Sequence, residues 1–320
     1  MVLVLADAST QTVYGSENAP KRRLRGKDNC RRTCTWVSQT ITTPRITTWL
    51  YSRLGRLNAY TLKSDRREQQ IRDYYQTLYA AWGPQHWWPA RTRFEVMVGA
   101  YLTQNTSWNN VEAALRRLRQ ARALSLVAIR NIPLARLESL IRPAGYFHQK
   151  ANRLKTFVKF VDTQYAGSLD RMFAQPTAKL RAELLALNGV GPETADSILL
   201  YAGQHEVFVV DAYTRRILDR HGILPAKTDY DEIRQLFERT LSASNLSATT
   251  PLAGPVEGSS AVRPAQNSTA HEPSPMSLAK RSPAAQVYND MHGLIVAVGK
   301  HYCLKSRPHC GGCPLEKFLP

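Results

Sequence analysis

Leu187-Asn188-Gly189-Val190-Gly191-Pro192-Glu193-Thr194-Ala195, followed by Val209-Val210-Asp211-Ala212-Tyr213, is the stretch from which the chain is read. Apolar residues at helical spacing flank it: Leu180, Leu184 and Leu187 before the turn, Ile198, Leu199 and Ala202 after it. Two glycines around one valine permit positive φ and let another backbone approach closely. Pro192 suits the first position of the second helix, where its missing N–H costs nothing. Free backbone N–H groups and the positive end of the helix dipole then face outward as an anion site. The same residues also suit an ordinary helix–turn–helix without a ligand. Eighteen residues after Glu193 stands Asp211, a carboxylate placed to cap the next helix.

Outward from this turn the pattern is helical throughout. Phe94, Met97, Val98 and Tyr101 fall at i, i+3, i+4 and i+7 and predict one buried face. Val111, Leu115 and Leu118 predict a second, Leu134, Leu137 and Ile141 a third, and Leu154, Phe157, Val158 and Val161 a fourth. No alternating strand run appears, so the expected class is all-α. Residues 243–285 are rich in Ser, Ala, Thr and Pro and lack aromatics until the helical pattern resumes. Burial there cannot offset ordering entropy, so this stretch reads as a disordered insertion. Helical spacing returns with Met291, Leu294, Ile295 and Val298. The expected organisation is a basic, weakly ordered leader over 1–66, a core over 67–242, the insertion over 243–285, a helix over 286–302, and a cysteine-containing tail over 303–320.

The 320 residues are 43% hydrophobic, enough for a real core. No apolar run is long enough to span a bilayer. The opening Met-Val-Leu-Val-Leu-Ala is too short for a signal peptide and has no basic residue before it. An odd count of five cysteines argues against a secreted disulfide framework, so the expected setting is a reducing cytoplasm. Lys and Arg total 43 against 25 acids, a formal net charge of +18. Residues 1–66 hold twelve Lys or Arg and four acids, an excess of eight, while Arg116, Arg117 and Arg119 and then Lys150, Arg153, Lys155 and Lys159 form basic clusters further on. Such a balance draws a polyanion and says nothing of fold.

Four segments in one order carry a resemblance to the helix-hairpin-helix DNA glycosylases of the endonuclease III superfamily. They are Leu102-Thr103-Gln104-Asn105-Thr106, Gly145-Tyr146-Phe147 with Lys150-Ala151, the hairpin 187–195, and Val210-Asp211 with Arg215-Arg216. The resemblance covers about residues 67–240 and 286–313. It implies a two-lobed helical fold, a cleft between the lobes, and double-stranded DNA containing a damaged base as the partner. By the same resemblance Asp211 is the catalytic carboxylate, stabilising cationic character on the sugar as the base departs and orienting water. Asp211 also reads simply as a helix N-cap, and the two roles are compatible. Gly189, Val190, Gly191 and Thr194 would hold a phosphate, and Gln104 would fill the gap left by a flipped nucleotide or merely end its helix.

Glu193 departs from the family's strand-cleaving members, which carry at this position a lysine that attacks the sugar as a Schiff-base nucleophile. A carboxylate cannot do so, and the absence of that lysine implies a monofunctional enzyme using water. Lys150 is another lysine in the matched region, with nothing in sequence to mark it as a substitute. Trp87-Trp88-Pro89 and Trp108 resemble pocket-lining aromatics of the 3-methyladenine glycosylase branch, whose faces suit an alkylated, cationic purine. The same three residues also suit core packing. Mismatch-directed removal of thymine, uracil or adenine, and a non-catalytic DNA-binding module, are the alternatives.

No cofactor is expected to be required for catalysis. Yet Cys303, Cys310 and Cys313 reproduce three of the four cysteines of the family's [4Fe-4S] loop, and the fourth place falls on Leu319. The readings left open are a vestigial loop, a cluster with an unusual fourth ligand, recruitment of Cys30 or Cys34, or zinc bound with His301 or His309.

Overall fold

The computed structural model describes residues 65–242 and 271–320, and among these the chain forms helices and turns without a strand. The leader through residue 64, Cys30 and Cys34 with it, and the insertion between 243 and 270 lie outside the described residues. The helices are α1 (65–82), α2 (Arg93–Thr103), α3 (Trp108–Gln120), α4 (Leu126–Asn131), α5 (Leu134–Ile141) and α6 (Phe147–Tyr165). They continue as α7 (Leu169–Phe173), α8 (Thr177–Leu185), α9 (Pro192–Ser197), α10 (Ala212–Arg220), α11 (Tyr230–Thr240) and α12 (Pro283–His301). The arrangement is two-lobed, with α2–α9 in one lobe. The other gathers α1, α10, α11 and the tail around α12. There Tyr74 shares a 2.7 Å hydrogen bond with His221, and Gln70 donates to the Phe318 carbonyl.

The centre of the first lobe is α2. Thr92 caps it, its hydroxyl accepting from the Glu95 N–H at 3.1 Å, and every residue from Phe94 to Leu102 is buried. The predicted face of Phe94, Met97, Val98 and Tyr101 is therefore only part of what this helix buries. Each such side chain contributes roughly 1.5–3 kcal/mol of transfer free energy. Glu95 is tolerated there because Arg119 on α3 donates to it, its Nε at 2.9 Å. The predicted faces of α3 and α6 are buried as expected. On α5 the expectation fails at Leu134, which is 38% exposed while Leu137 and Ile141 are buried. Leu134 opens a two-turn helix, and its first turn is left exposed among the described residues.

Across α8 and α9 an ion-pair cluster fixes the hairpin. Arg181 donates through Nε to Asp196 Oδ1 at 2.7 Å and through a terminal nitrogen to Asp231 on α11 at 2.8 Å. Asp196 is fully buried, so removing Arg181 would strand a charge, a loss of roughly 3–5 kcal/mol.

The second lobe corrects one expected boundary. Helix α12 begins at Pro283, with Ser282 as N-cap accepting from the Ala285 N–H at 3.3 Å. Residues 271–282, read from sequence as part of the insertion, are packed against the core. Met276 is buried, its N–H donates to the Ala90 carbonyl, and Arg281 donates to the carbonyls of Met276, Ser277 and Ala279. The Ser-Pro pair at 282–283 is a helix-start signal that the surrounding Ser and Pro hide. Buried from Ala284 to Gly299 apart from one position, α12 carries the second lobe as α2 carries the first. Gly299 lets α10 come close: a Cβ there would stand 2.1 Å from the Tyr213 ring. That approach draws the start of α10, and Asp211 with it, against α12.

Candidate active site

The hairpin follows its sequence reading in most particulars. Gly189 has φ +78°, a left-handed conformation that a side chain would strain, and Pro192 occupies the first turn of α9. Gly191 is extended and exposed. The Val190 N–H, expected to hold an anion, instead donates to the Leu187 carbonyl at 3.1 Å, closing the turn, while the Val190 side chain is buried beneath it. The Thr194 hydroxyl likewise serves the fold: it accepts from Gln104 Nε2 at 3.0 Å.

Gln104 ends α2 and is tied to the hairpin rather than projecting freely. Its amide also donates to the Gly189 carbonyl at 2.9 Å, and its Oε1 accepts from Arg153 at 2.7 Å. Gap filling would require those bonds to break. Lys150 is equally committed: its ammonium is buried and donates to the carbonyls of Leu102 at 2.9 Å and Ala144 at 2.8 Å. Burial, with Arg153 nearby, pushes it down to about 8. It locks α6 against the end of α2 and has no free face for a sugar.

Asp211 caps α10. Its Oδ1 accepts from the Thr214 N–H at 2.7 Å and from the Thr214 hydroxyl at 2.9 Å. Both groups are buried, Thr214 completely. The second oxygen, Oδ2, lies 3.6 Å from Nε2 of His292 on α12. The other imidazole nitrogen, Nδ1, is 2.7 Å from the Tyr201 hydroxyl on the continuation of α9. Sequence inspection passed over His292 and Tyr201. The available signal was a histidine in the Met291–Val298 apolar run, and a tyrosine among residues that are otherwise aliphatic.

Glu193, in the first turn of α9, faces the same centre. The residue is exposed, yet lost hydration first and the Asp211 charge second push its carboxyl up to about 7, against an opposing pull from Arg215. The three tryptophans converge as expected. Trp88 stands edge-on to Trp108 with centroids 5.2 Å apart, and Trp87 lies 5.6 Å from Trp88 and 6.3 Å from Trp108. Trp87 and Trp88 are buried and Trp108 half-buried, so the packing role holds for the first two. The cluster nevertheless runs into the carboxylate centre: Trp88 is 5.3 Å from Tyr201, and Trp87 is 5.9 Å from His292. His271 adds a ring 5.4 Å from Trp87, and the Lys300 ammonium lies 5.8 Å over Trp87. Tyr146 is a further surface feature, 66% exposed at φ +45° just before α6.

In the tail, Cys303, Cys310 and Cys313 are free thiols lining one cavity of about 230 Å³ with Arg220, His309 and Leu319. Arg220 donates toward Cys303 Sγ at 3.2 Å, and Arg216 holds the Cys303 carbonyl at 2.7 Å. Leu319, at the expected fourth position, contributes only hydrocarbon to this cavity. The donor set among the described residues thus supplies three thiolates, one short of a four-thiolate cluster. Among the described residues no group of three His, Cys, Asp or Glu side chains is arranged to hold a metal ion. No described helix is long and apolar enough to cross a membrane.

Comparison with known proteins identifies the family. Residues 98–243 match the model of the HhH-GPD superfamily base excision DNA repair proteins. A Methanocaldococcus jannaschii protein provisionally named a DNA repair glycosylase is 40% identical over 256 residues, 79% of this chain and 97% of its own. Among solved structures, the H. pylori 3-methyladenine DNA glycosylase bound to 1,N6-ethenoadenine superposes with a TM-score of 0.57 at 29% identity, covering 73% of this chain and 97% of that one. A trapped endonuclease III–DNA covalent intermediate gives a TM-score of 0.56 at 19% identity over 78% and 93%, a likeness of fold. With a relative this similar matched over nearly its whole length, the chain belongs to the HhH-GPD superfamily of base excision DNA repair proteins.

Proposed function

We propose that this DNA glycosylase removes an alkylated purine from double-stranded DNA by hydrolysis, as a monomer, without cutting the strand and without a cofactor in the chemistry. The observation that carries the reading is Asp211: a carboxylate held twice by Thr214 at the end of a wall of aromatic rings. A rigid anion beside the flipped sugar stabilises the cationic character that grows as the base leaves. The half-buried Trp108 offers a π-face to an electron-poor purine, while Lys300 already lies over Trp87. The likeness to a 3-methyladenine glycosylase supports the same substrate class.

Water as the nucleophile follows from Glu193 and Lys150. At the hairpin position a carboxyl replaces an amine, and the nearby lysine spends its ammonium on two backbone carbonyls. On the DNA side, the exposed Gly191 offers its backbone N–H to a phosphate, and the exposed Tyr146, just before α6, is the side chain to stack on an unpaired base. Phosphate contacts fix register without reading sequence, so binding weakens steeply with salt.

The test is base release from methylated duplex DNA, with the strand examined before and after alkali. Free 3-methyladenine or 7-methylguanine, with breaks only after alkali, is the expected result. Breaks without alkali would overturn the hydrolytic reading. Release from thymine, uracil or adenine mismatches alone would overturn the alkylpurine reading.

A further inference from the structure

Buried at the junction of the two lobes, the His292 imidazole is unused by the chemistry just described. Its Nδ1 is 2.7 Å from the Tyr201 hydroxyl. Its Nε2 is shielded from solvent, has no hydrogen-bond partner among the described residues, and lies 3.6 Å from Asp211 Oδ2. A buried N–H without a partner is costly, so a polar nitrogen aimed at a carboxylate oxygen calls for a purpose. Two tautomers are available to a neutral imidazole, and the neighbours choose between them. An Nε2 lone pair would face the Asp211 carboxylate and be repelled. An Nε2–H would face it favourably, leaving Nδ1 to accept from the Tyr201 O–H. Burial keeps the Tyr201 phenol protonated and the imidazole neutral, so both donors are in place. Other ionisable groups turned toward this set are Glu193, toward Asp211 and Tyr201, Tyr213, toward Asp211, and Arg281, toward Tyr201; the rings of Trp87 and Trp88 pack against Tyr201 and His292.

We propose that His292, with its tautomer set by Tyr201, is the positioning residue for Asp211, an assignment that rests on the glycosylase reading. Thr214 fixes one oxygen of the carboxylate, and the His292 Nε2–H fixes the direction of the other. At 3.6 Å the pair is longer than a hydrogen bond in the free protein. It shortens when DNA fills the cleft and the carboxylate is drawn to its working position, in the way catalytic contacts tighten on complex formation. Neutral His292 supplies that direction without a second positive charge that would compete with the sugar for Asp211. The three residues come from the continuation of α9, the start of α10 and α12, so the contact joins three elements at the carboxylate.

The experiment is single-turnover base release from methylated duplex, run with affinity for a duplex carrying an abasic-site analogue and with long-range proton–nitrogen spectra of the imidazoles. Misplacing a reacting group by about 1 Å can lower a rate on the order of a hundredfold. His292→Phe is therefore expected to lose between ten- and a hundredfold in rate while binding within about threefold of wild type. His292→Gln, which can return an N–H near the Nε2 position, is expected to recover part of the loss. In an Asp211→Asn background, His292→Phe should add little, because the two act as one unit. Should His292→Phe not fold, Tyr201→Phe, which deletes a single oxygen, is expected to lower the rate in the same direction. The spectra should give neutral His292 protonated at Nε2. Wild-type release with an unchanged rate in His292→Phe or Tyr201→Phe would overturn the proposal, as would protonation at Nδ1 alone. No release by wild type would instead overturn the glycosylase reading, and the tautomer would still be decided by the spectra.

Discussion

Thr214 grips Asp211 Oδ1 twice, through its N–H at 2.7 Å and its hydroxyl at 2.9 Å. The same pair that starts helix α10 therefore also fixes the orientation of the carboxylate proposed to act on the sugar. Thr214→Val removes the hydroxyl donor and keeps the backbone one. Losing a hydrogen bond to a charged group costs roughly 1.5–3 kcal/mol. The expected outcome is a drop in base release of about tenfold or more, with Thr214→Ser within a few-fold of wild type. Single-turnover rates check it, and equal rates for both variants would show that the hydroxyl bond does not position Asp211.

Glu193 gives the site a titration near neutrality. Its carboxyl is pushed up to about 7 by lost hydration and by Asp211. A carboxyl raised in the folded state favours folding while it is protonated in both states, and that contribution fades as pH climbs from the ordinary carboxylate range through 7. Ionised Glu193 also repels phosphate. Affinity for an abasic-site duplex is therefore expected to fall as pH rises through about 7, and Glu193→Gln to remove that inflection. A binding profile from pH 5.5 to 8.5 decides it; an identical inflection in the variant would place the titrating group elsewhere.

The absence of an amine at the hairpin position has a direct chemical readout. Borohydride reduces a Schiff base between an enzyme lysine and an abasic sugar to a permanent adduct. Wild type is expected to leave no such adduct, whereas Glu193→Lys places an amine beside Asp211 and is expected to leave one. An adduct from wild type would show that another lysine reaches the sugar, against the burial of the Lys150 ammonium.

Tyr146 separates stacking from charge. It is the most exposed large apolar side chain among the described residues, held at φ +45° beside the basic start of α6. Stacking on an unpaired base is worth about 1–3 kcal/mol. Tyr146→Ala is expected to weaken binding to an abasic-site duplex by about 5- to 150-fold without altering the salt dependence, since no phosphate contact is lost. A change in the salt slope with unchanged affinity at low salt would contradict the stacking role.

How much of this was readable in sequence depends on the range of each interaction. The hairpin, the N-cap at Asp211 and the buried faces of α3 and α6 are local, and local spacing predicts them. The convergence of Trp87, Trp88 and Trp108 came through family resemblance, not through spacing. Three features resisted reading for physical reasons. The pairing of His292 with Asp211 spans 81 residues and depends on Gly299 admitting α10 to α12. The engagement of the Val190 N–H and the Thr194 hydroxyl within the hairpin is set by turn geometry that two glycines leave undetermined. The packing of residues 271–285 turns on Met276 and Arg281, single side chains in a stretch whose composition otherwise resembles unfolded chain.

The central claim is that Asp211 drives removal of an alkylated base. The most direct measurement compares wild type and Asp211→Asn on methylated duplex DNA, following base release and binding in parallel. Release by wild type, a loss of at least a hundredfold in Asp211→Asn, and affinity within a few-fold of wild type is the result expected. Equal release by the two proteins, or binding without release by either, would contradict it.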